Sequence, residues 1–136
     1  MRVYLSGPIK DATDEEAIKW RIEAEGVLHN GNIKTLNPMR RDYRDNPCAH
    51  LPGLVENDKI DIEFSDILLV NFLKPSVGTA MEIIHAWERG KRIITVCEEF
   101  TQDAWLVYHS HHIYRTLDEA YEKIFELRSE YEHLGA

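Results

Sequence analysis

The chain has 136 residues, 43% of them hydrophobic and 29% charged, values that fit one folded domain with its own core and exclude a disordered chain. A formal net charge of -8 with no extended run of lysine or arginine argues against a duplex-binding surface and points to small-molecule ligands, not a nucleic-acid polymer. Two cysteines, Cys48 and Cys97, lie far apart with no C-x-x-C pair, so neither a disulfide framework nor a zinc site is indicated.

Arg2 to Ser6 predicts a strand that stops at the turn signal Gly7-Pro8. Neither a charged leader nor a long apolar span accompanies it, which gives the expectation of a reduced, cytoplasmic protein without a membrane partner. Asp11 to Asp14 offers N-cap residues, and Ala17, Trp20, Ala24, Val27 and Leu28 then recur at helical spacing up to Asn30-Gly31. Ile33 to Leu36 predicts a second short strand. The polar segment from Asn37 to Pro52 holds Pro38, Pro47 and Pro52 and is long for a plain connection, which makes it a candidate functional loop. Leu54 to Phe64 predicts a helix, and Asp66 to Phe72 an apolar strand ahead of Pro75.

A helix carrying Ile83, Ile84 and Trp87 follows, with a left-handed C-cap expected at Gly90. Arg92 to Cys97 is a buried strand, His112 to Tyr114 a short last one, and Leu117, Ala120, Tyr121, Ile124 and Leu127 form a closing helical stripe. The alternation of strand and helix, ending strand, strand, helix, implies a single α/β domain over residues 1–136. Five parallel strands would be covered by helices on both faces, a three-layer Rossmann-like arrangement. Ligands bind such sheets at the carboxyl ends of the strands. That rim would gather Gly7-Pro8-Ile9, Asn37 to Arg41, and Ser76 to Glu82.

Within Pro75-Ser76-Val77-Gly78-Thr79-Ala80-Met81-Glu82 one carboxylate stands where a strand gives way to a helix. Two readings stay open. Thr79-x-x-Glu82 has the form of a capping box, in which the glutamate satisfies a backbone amide. Alternatively Glu82 is a reacting carboxylate in the first helical turn, kept ionised by the helix dipole.

Several segments carry a resemblance: Val3-Tyr4-Leu5-Ser6-Gly7-Pro8-Ile9, Glu56-Asn57-Asp58 ahead of Ser65-Asp66-Ile67-Leu68-Leu69, Gly78-Thr79-Ala80-Met81-Glu82, Ala104 to Ser110, and Thr116 to Ala120. In this order the chain resembles the nucleoside 2-deoxyribosyltransferase family, which implies a flavodoxin-like fold and no cofactor. The resemblance makes Glu82 the nucleophile that attacks C1' of a 2-deoxyribosyl group, Asp58 the acid that protonates the departing base, and Tyr4 the residue that orients Glu82. It implies 2'-deoxynucleosides and free nucleobases as substrates, with Gly7, Ile9, Asn37, Arg41, Ser76, Gly78 and Met81 as candidate binding residues. Asp103 and Trp105 match positions that reach a neighbouring subunit's pocket, Asp103 near the sugar 5'-hydroxyl. A homo-oligomer, a dimer or an assembly of dimers, is therefore implied. Taken without the resemblance, Asp58 is one acid on a solvated helix face, Tyr4 a core aromatic, Asp103 an N-cap and Trp105 a packing residue.

Ser76 departs from the many transferases that place an aspartate there and instead resembles the 2'-deoxynucleoside 5'-monophosphate N-hydrolases, where serine helps hold phosphate. Lys10, Arg40, Arg41 and Arg44 could supply the charge a phosphate needs, or coat a solvated surface. Asp103 points the other way, because the phosphate-binding group has serine there and a carboxylate repels a phosphate dianion. The Gly78-Thr79-x-x-Glu82 segment is also similar to that of the cytokinin-activating phosphoribohydrolases, which carry a longer glycine run. A non-catalytic nucleotide-binding domain is the remaining alternative. Of His109, His111 and His112, the first two would share a face of an extended segment with no third ligand nearby, so no metal is expected.

Overall fold

The computed structural model describes residues 1–46 and 51–135; Pro47 and Cys48 of the long polar segment lie outside the described residues. In chain order the elements are β1 (Arg2–Ser6), a π-helical turn (Glu15–Lys19) running into α1 (Trp20–Asn30), β2 (Lys34–Leu36), a 3-10 turn (Pro38–Arg40), α2 (Gly53–Phe64) and β3 (Ile67–Asn71). There follow α3 (Val77–Glu88), β4 (Arg92–Val96), α4 (Ala104–Tyr108), β5 (His112–Tyr114) and α5 (Leu117–Gly135).

All five strands are parallel, in the order β2-β1-β3-β4-β5. Alternation along each strand sorts the side chains between two cores. Val3, Leu5, Ile67, Leu69, Ile94 and Val96 pack with Trp20, Ala24 and Leu28 of α1 and with Ala120, Ile124 and Leu127 of α5. Tyr4, Leu68, Val70 and Ile93 pack on the other face with Ile62 of α2, Ile83 and Ala86 of α3, and Leu106 of α4. Each fully buried aliphatic side chain here contributes about 2 kcal/mol.

The expected five-stranded parallel sheet between helical layers is present. One element was missing from the expected order, although the N-cap reading of Asp103 implies it: α4 lies between β4 and β5, where the sequence suggested strand following strand. Parallel neighbours need a crossover, because a tight turn would return the chain antiparallel. Asp103 opens this five-residue helix by accepting a hydrogen bond from the Leu106 amide at 2.9 Å. The helix at Gly90 ends as expected, with φ +71° at that glycine.

The capping-box reading of Thr79 and Glu82 is corrected. Ser76 is the N-cap of α3, its side chain accepting from the Thr79 amide at 3.3 Å. Glu82 is therefore the sixth residue of the helix, three residues beyond Thr79, the last amide without an intrahelical partner and the one that Ser76 caps. A reciprocal capping box occurs instead at Thr13 with Glu16, while the Thr116 hydroxyl accepts from the Glu119 amide and donates to the Glu119 carboxylate.

The strand order creates a switch point. From β1 the chain moves outward to β2, then crosses back to β3 on the other side of β1. Chain connections diverge there, leaving a crevice beyond the carboxyl ends of β1 and β3. Contact at that point is tight at Gly7, where a Cβ would stand 3.0 Å from the Asn71 carbonyl oxygen and 3.1 Å from the Trp20 ring.

Candidate active site

A cleft of about 300 Å³ opens at the switch point. Gly7, Ile9 and Lys10 line it from the turn after β1, Pro38, Arg41 and Arg44 from the long polar segment, Asp58 from α2, and Ser76, Gly78, Thr79 and Glu82 from α3. Three segments far apart in sequence thus converge on one carboxylate.

Glu82 is held from β1. The Tyr4 hydroxyl donates to Oε2 at 2.5 Å, and the Ser6 hydroxyl donates to Oε1 at 2.8 Å. Tyr4 is fully buried beneath the cleft, with its ring in the core between the sheet and α2 and α3. Asp58, one helix away, is bridged by Arg41 at 3.4 Å, and Arg41 makes a closer pair with Asp61 at 2.7 Å. Arg40 pairs with Asp61 at 2.5 Å, and Arg44 pairs with Asp14 and Asp42 at 2.8 and 2.9 Å. All three arginines of the polar segment are thus engaged by carboxylates, whereas Lys10 has no ion-pair partner among the described residues.

Three further residues belong to this site. Ser6 stands two residues after Tyr4, and strand alternation puts the two hydroxyls on one face. Thr79 lies one helical turn before Glu82; it is 1% exposed and its hydroxyl has no partner among the described residues. Arg21 is fully buried on the far side of β1 and donates to the carbonyls of Leu5, Gly7 and Ala17 at 3.1, 3.0 and 2.6 Å. Its position within the apolar helical stripe, four residues after Ala17 and three before Ala24, was the available signal.

Four other candidates lie elsewhere. The Asn37 side chain is occupied structurally, accepting from the Met39 amide at 2.9 Å and donating to Glu25 at 3.1 Å. Met81 points outward, 68% exposed. Asp103 and Trp105 line a second, largely apolar groove of about 490 Å³, shared with Phe72, Val77 and Ile84 and separated from the Glu82 cleft by Ser76. His109, His111 and His112 bond separately to the Trp105 carbonyl, the Ile93 amide and Arg92. Among the described residues no three metal-ligating side chains gather. Nor is any helix there long and apolar enough to cross a membrane.

No protein-family model and no curated protein matches the sequence. Solved structures do match. A 2-deoxyribosyltransferase from Bacillus psychrosaccharolyticus superposes with a TM-score of 0.72 at 17% identity, over 89% of this chain and 90% of that one. A CMP N-glycosidase from Clostridium botulinum gives a TM-score of 0.62 at 26% identity, over 91% and 97%. These likenesses show the fold: this chain shares the parallel α/β architecture of the 2-deoxyribosyltransferase and of the CMP N-glycosidase.

In the Glu82 cleft both acids are tuned upward. Burial lifts Glu82 from 4.5 to about 7 and the charge of Asp58 adds to the rise, while the hydroxyls of Tyr4 and Ser6 and the guanidinium of Arg21 oppose it. The expectation of a carboxylate kept fully ionised by the helix dipole is thereby corrected: the dipole acts within the first turn, and Glu82 lies beyond it. Burial likewise raises Asp58, with Arg41 working against it. Tyr4 is pushed well above its ordinary value by burial and by Glu82, so its hydroxyl remains a donor.

Proposed function

We propose that the chain cleaves the N-glycosidic bond of 2'-deoxyribonucleosides and transfers the deoxyribosyl group to a second purine or pyrimidine. The observation that carries this reading is a carboxylate anchored through both oxygens, at the switch-point cleft, with a second acid of raised pKa on the facing helix.

Glu82 attacks C1' as its bond to the base nitrogen breaks, and the pair of electrons leaves with the base. Asp58 delivers its proton to that base, which departs neutral. The oxocarbenium-like centre is stabilised and then captured by the Glu82 anion, giving a covalent deoxyribosyl-enzyme. An incoming base then loses a proton to Asp58 and takes the sugar from Glu82, so two inversions give net retention. The working form needs Glu82 ionised and Asp58 protonated, one proton on the pair; burial raises both acids, and the charge of Asp58 adds to the rise at Glu82. A sugar without the electron-withdrawing 2'-hydroxyl ionises more readily, which lowers what the protein must supply.

Asp103 and Trp105 support a shared site. They lie outside their own chain's Glu82 cleft, and Trp105 and its neighbours Val77 and Tyr108 are 76%, 78% and 69% exposed respectively. In the proposed homo-oligomer this face meets a second copy, whose cleft it completes.

A second reading, hydrolysis of a nucleoside 5'-monophosphate, is favoured by the 26% identity to a CMP N-glycosidase, by serine at position 76, and by Lys10, which lines the cleft without an ion-pair partner among the described residues. The engagement of Arg40, Arg41 and Arg44 by carboxylates weighs against it. Incubation with deoxyadenosine or its 5'-monophosphate, with and without a second free base, separates the readings. A new deoxynucleoside supports transfer, free base from the monophosphate alone supports the hydrolase, and turnover of neither overturns both.

A further inference from the structure

We propose that Ser6 is a second positioning residue for the nucleophile, fixing the plane of the Glu82 carboxylate together with Tyr4. The inference rests on the reading of Glu82 as the attacking group. A carboxylate held at one oxygen can swing about its terminal bond. Here one donor sits on each oxygen, at 2.5 Å from Tyr4 and 2.8 Å from Ser6, so any rotation breaks a charge-assisted hydrogen bond.

Ser6 is itself held in place. It is fully buried, and the peptide carbonyls on either side of it, those of Leu5 and Gly7, both accept from the guanidinium of Arg21. That guanidinium is fully buried and has no carboxylate within ion-pair distance among the described residues, an arrangement that is costly unless its charge is used. Arg21 braces the strand end on one face of the sheet, and the Ser6 hydroxyl emerges on the other, toward α3. A serine present only for packing would have no need of an acceptor at this carboxylate.

The groups that bear on the charge of Glu82 are Tyr4 and Ser6 from β1, Arg21 from α1 across the sheet, and Asp58 from α2 with its partner Arg41. Tyr4, Ser6 and Arg21 favour the anion, and Asp58 disfavours it. Loss of the Ser6 hydroxyl therefore removes stabilisation from the anion and moves its titration to higher pH.

The test is Ser6→Ala, with Ser6→Cys as a variant that keeps the volume and a weaker donor. In the transfer or cleavage assay kcat is expected to fall about ten- to a hundredfold, the equivalent of one charged hydrogen bond, with KM little changed. The acidic limb of the pH profile should move up by about one pH unit, and Ser6→Cys should fall between alanine and wild type. The Glu82 carboxyl titration, followed by carbon-13 NMR on labelled protein, gives a readout independent of turnover. An unchanged titration midpoint in Ser6→Ala overturns the role, as does an unchanged kcat and pH limb. Glu82→Gln separates the two layers: full activity in that variant removes the nucleophile itself, whereas lost activity there with wild-type behaviour in Ser6→Ala removes only the second anchor.

Discussion

Replacing Glu82 by glutamine should stabilise the protein as it destroys the reaction, and the gain should depend on pH in a defined direction. The folded chain holds the Glu82 proton up to about pH 7, whereas the unfolded chain releases it near 4.5. Between those values the folded state binds more protons than the unfolded state, so stability falls as pH rises through the window. At about 1.36 kcal/mol per pH unit, the penalty for ionising this carboxyl reaches at most about 3 kcal/mol by pH 8. Water in the cleft screens part of it. About 1 kcal/mol of that is already present at pH 5. Urea unfolding of wild type and Glu82→Gln, followed by the fluorescence of the three tryptophans, measures the difference at pH 5, 6, 7 and 8. The variant's advantage should widen by about 2 kcal/mol from pH 5 to pH 8. A constant difference, or one that narrows with rising pH, would refute the claim that burial holds this carboxyl protonated.

Three other outcomes are expected. Asp58→Asn removes the proton donor, and the rate on ordinary bases should drop by about 10²- to 10⁴-fold; steady-state kinetics should show a much smaller loss with a leaving group that departs without protonation, and equal losses on both would count against Asp58 as the acid. Gly7→Ala drives a Cβ into the Asn71 carbonyl and the Trp20 ring, and the strain of about 1–3 kcal/mol should lower the melting temperature by about 4 °C or more, read by calorimetry. Mixing inactive Glu82→Gln subunits with weakened Trp105→Ala subunits should restore activity if one chain completes its neighbour's cleft, because one of the two mixed sites is then wholly wild type; no restoration after confirmed subunit exchange would place Trp105 outside the reaction.

Much of the architecture is legible in the chain because burial leaves a periodic record. Ile67 to Val70 is apolar on both sides, as a central parallel strand must be, and Ala120, Ile124 and Leu127 mark one stripe of α5. Glycine at 90 with its positive φ is another such mark. The short α4 left a weaker record, since its five residues include a 76% exposed tryptophan and a 69% exposed tyrosine. No inward stripe could show over so few turns.

The site divides in the same way. Residue order alone, compared with known families, brought Tyr4, Asp58 and Glu82 forward, and the strand-to-helix turn at Pro75 to Glu82 stood out without any comparison. Whether Glu82 caps or reacts could not be read there, because the capping-box pattern depends on where the helix begins. Ser76 decides that by taking the N-cap, and the extra turn carries Glu82 past the free amides to the hydroxyls of Tyr4 and Ser6. Local sequence determined the elements, their faces and the presence of a carboxylate near a strand end, since these depend on neighbours within a few residues. Its protonation near pH 7, its two anchors, and the pairing of the nearby arginines with Asp14, Asp42, Asp58 and Asp61 were decided by the tertiary structure. Burial and Coulomb energy depend on groups the fold brings together from β1, α1, α2 and α3.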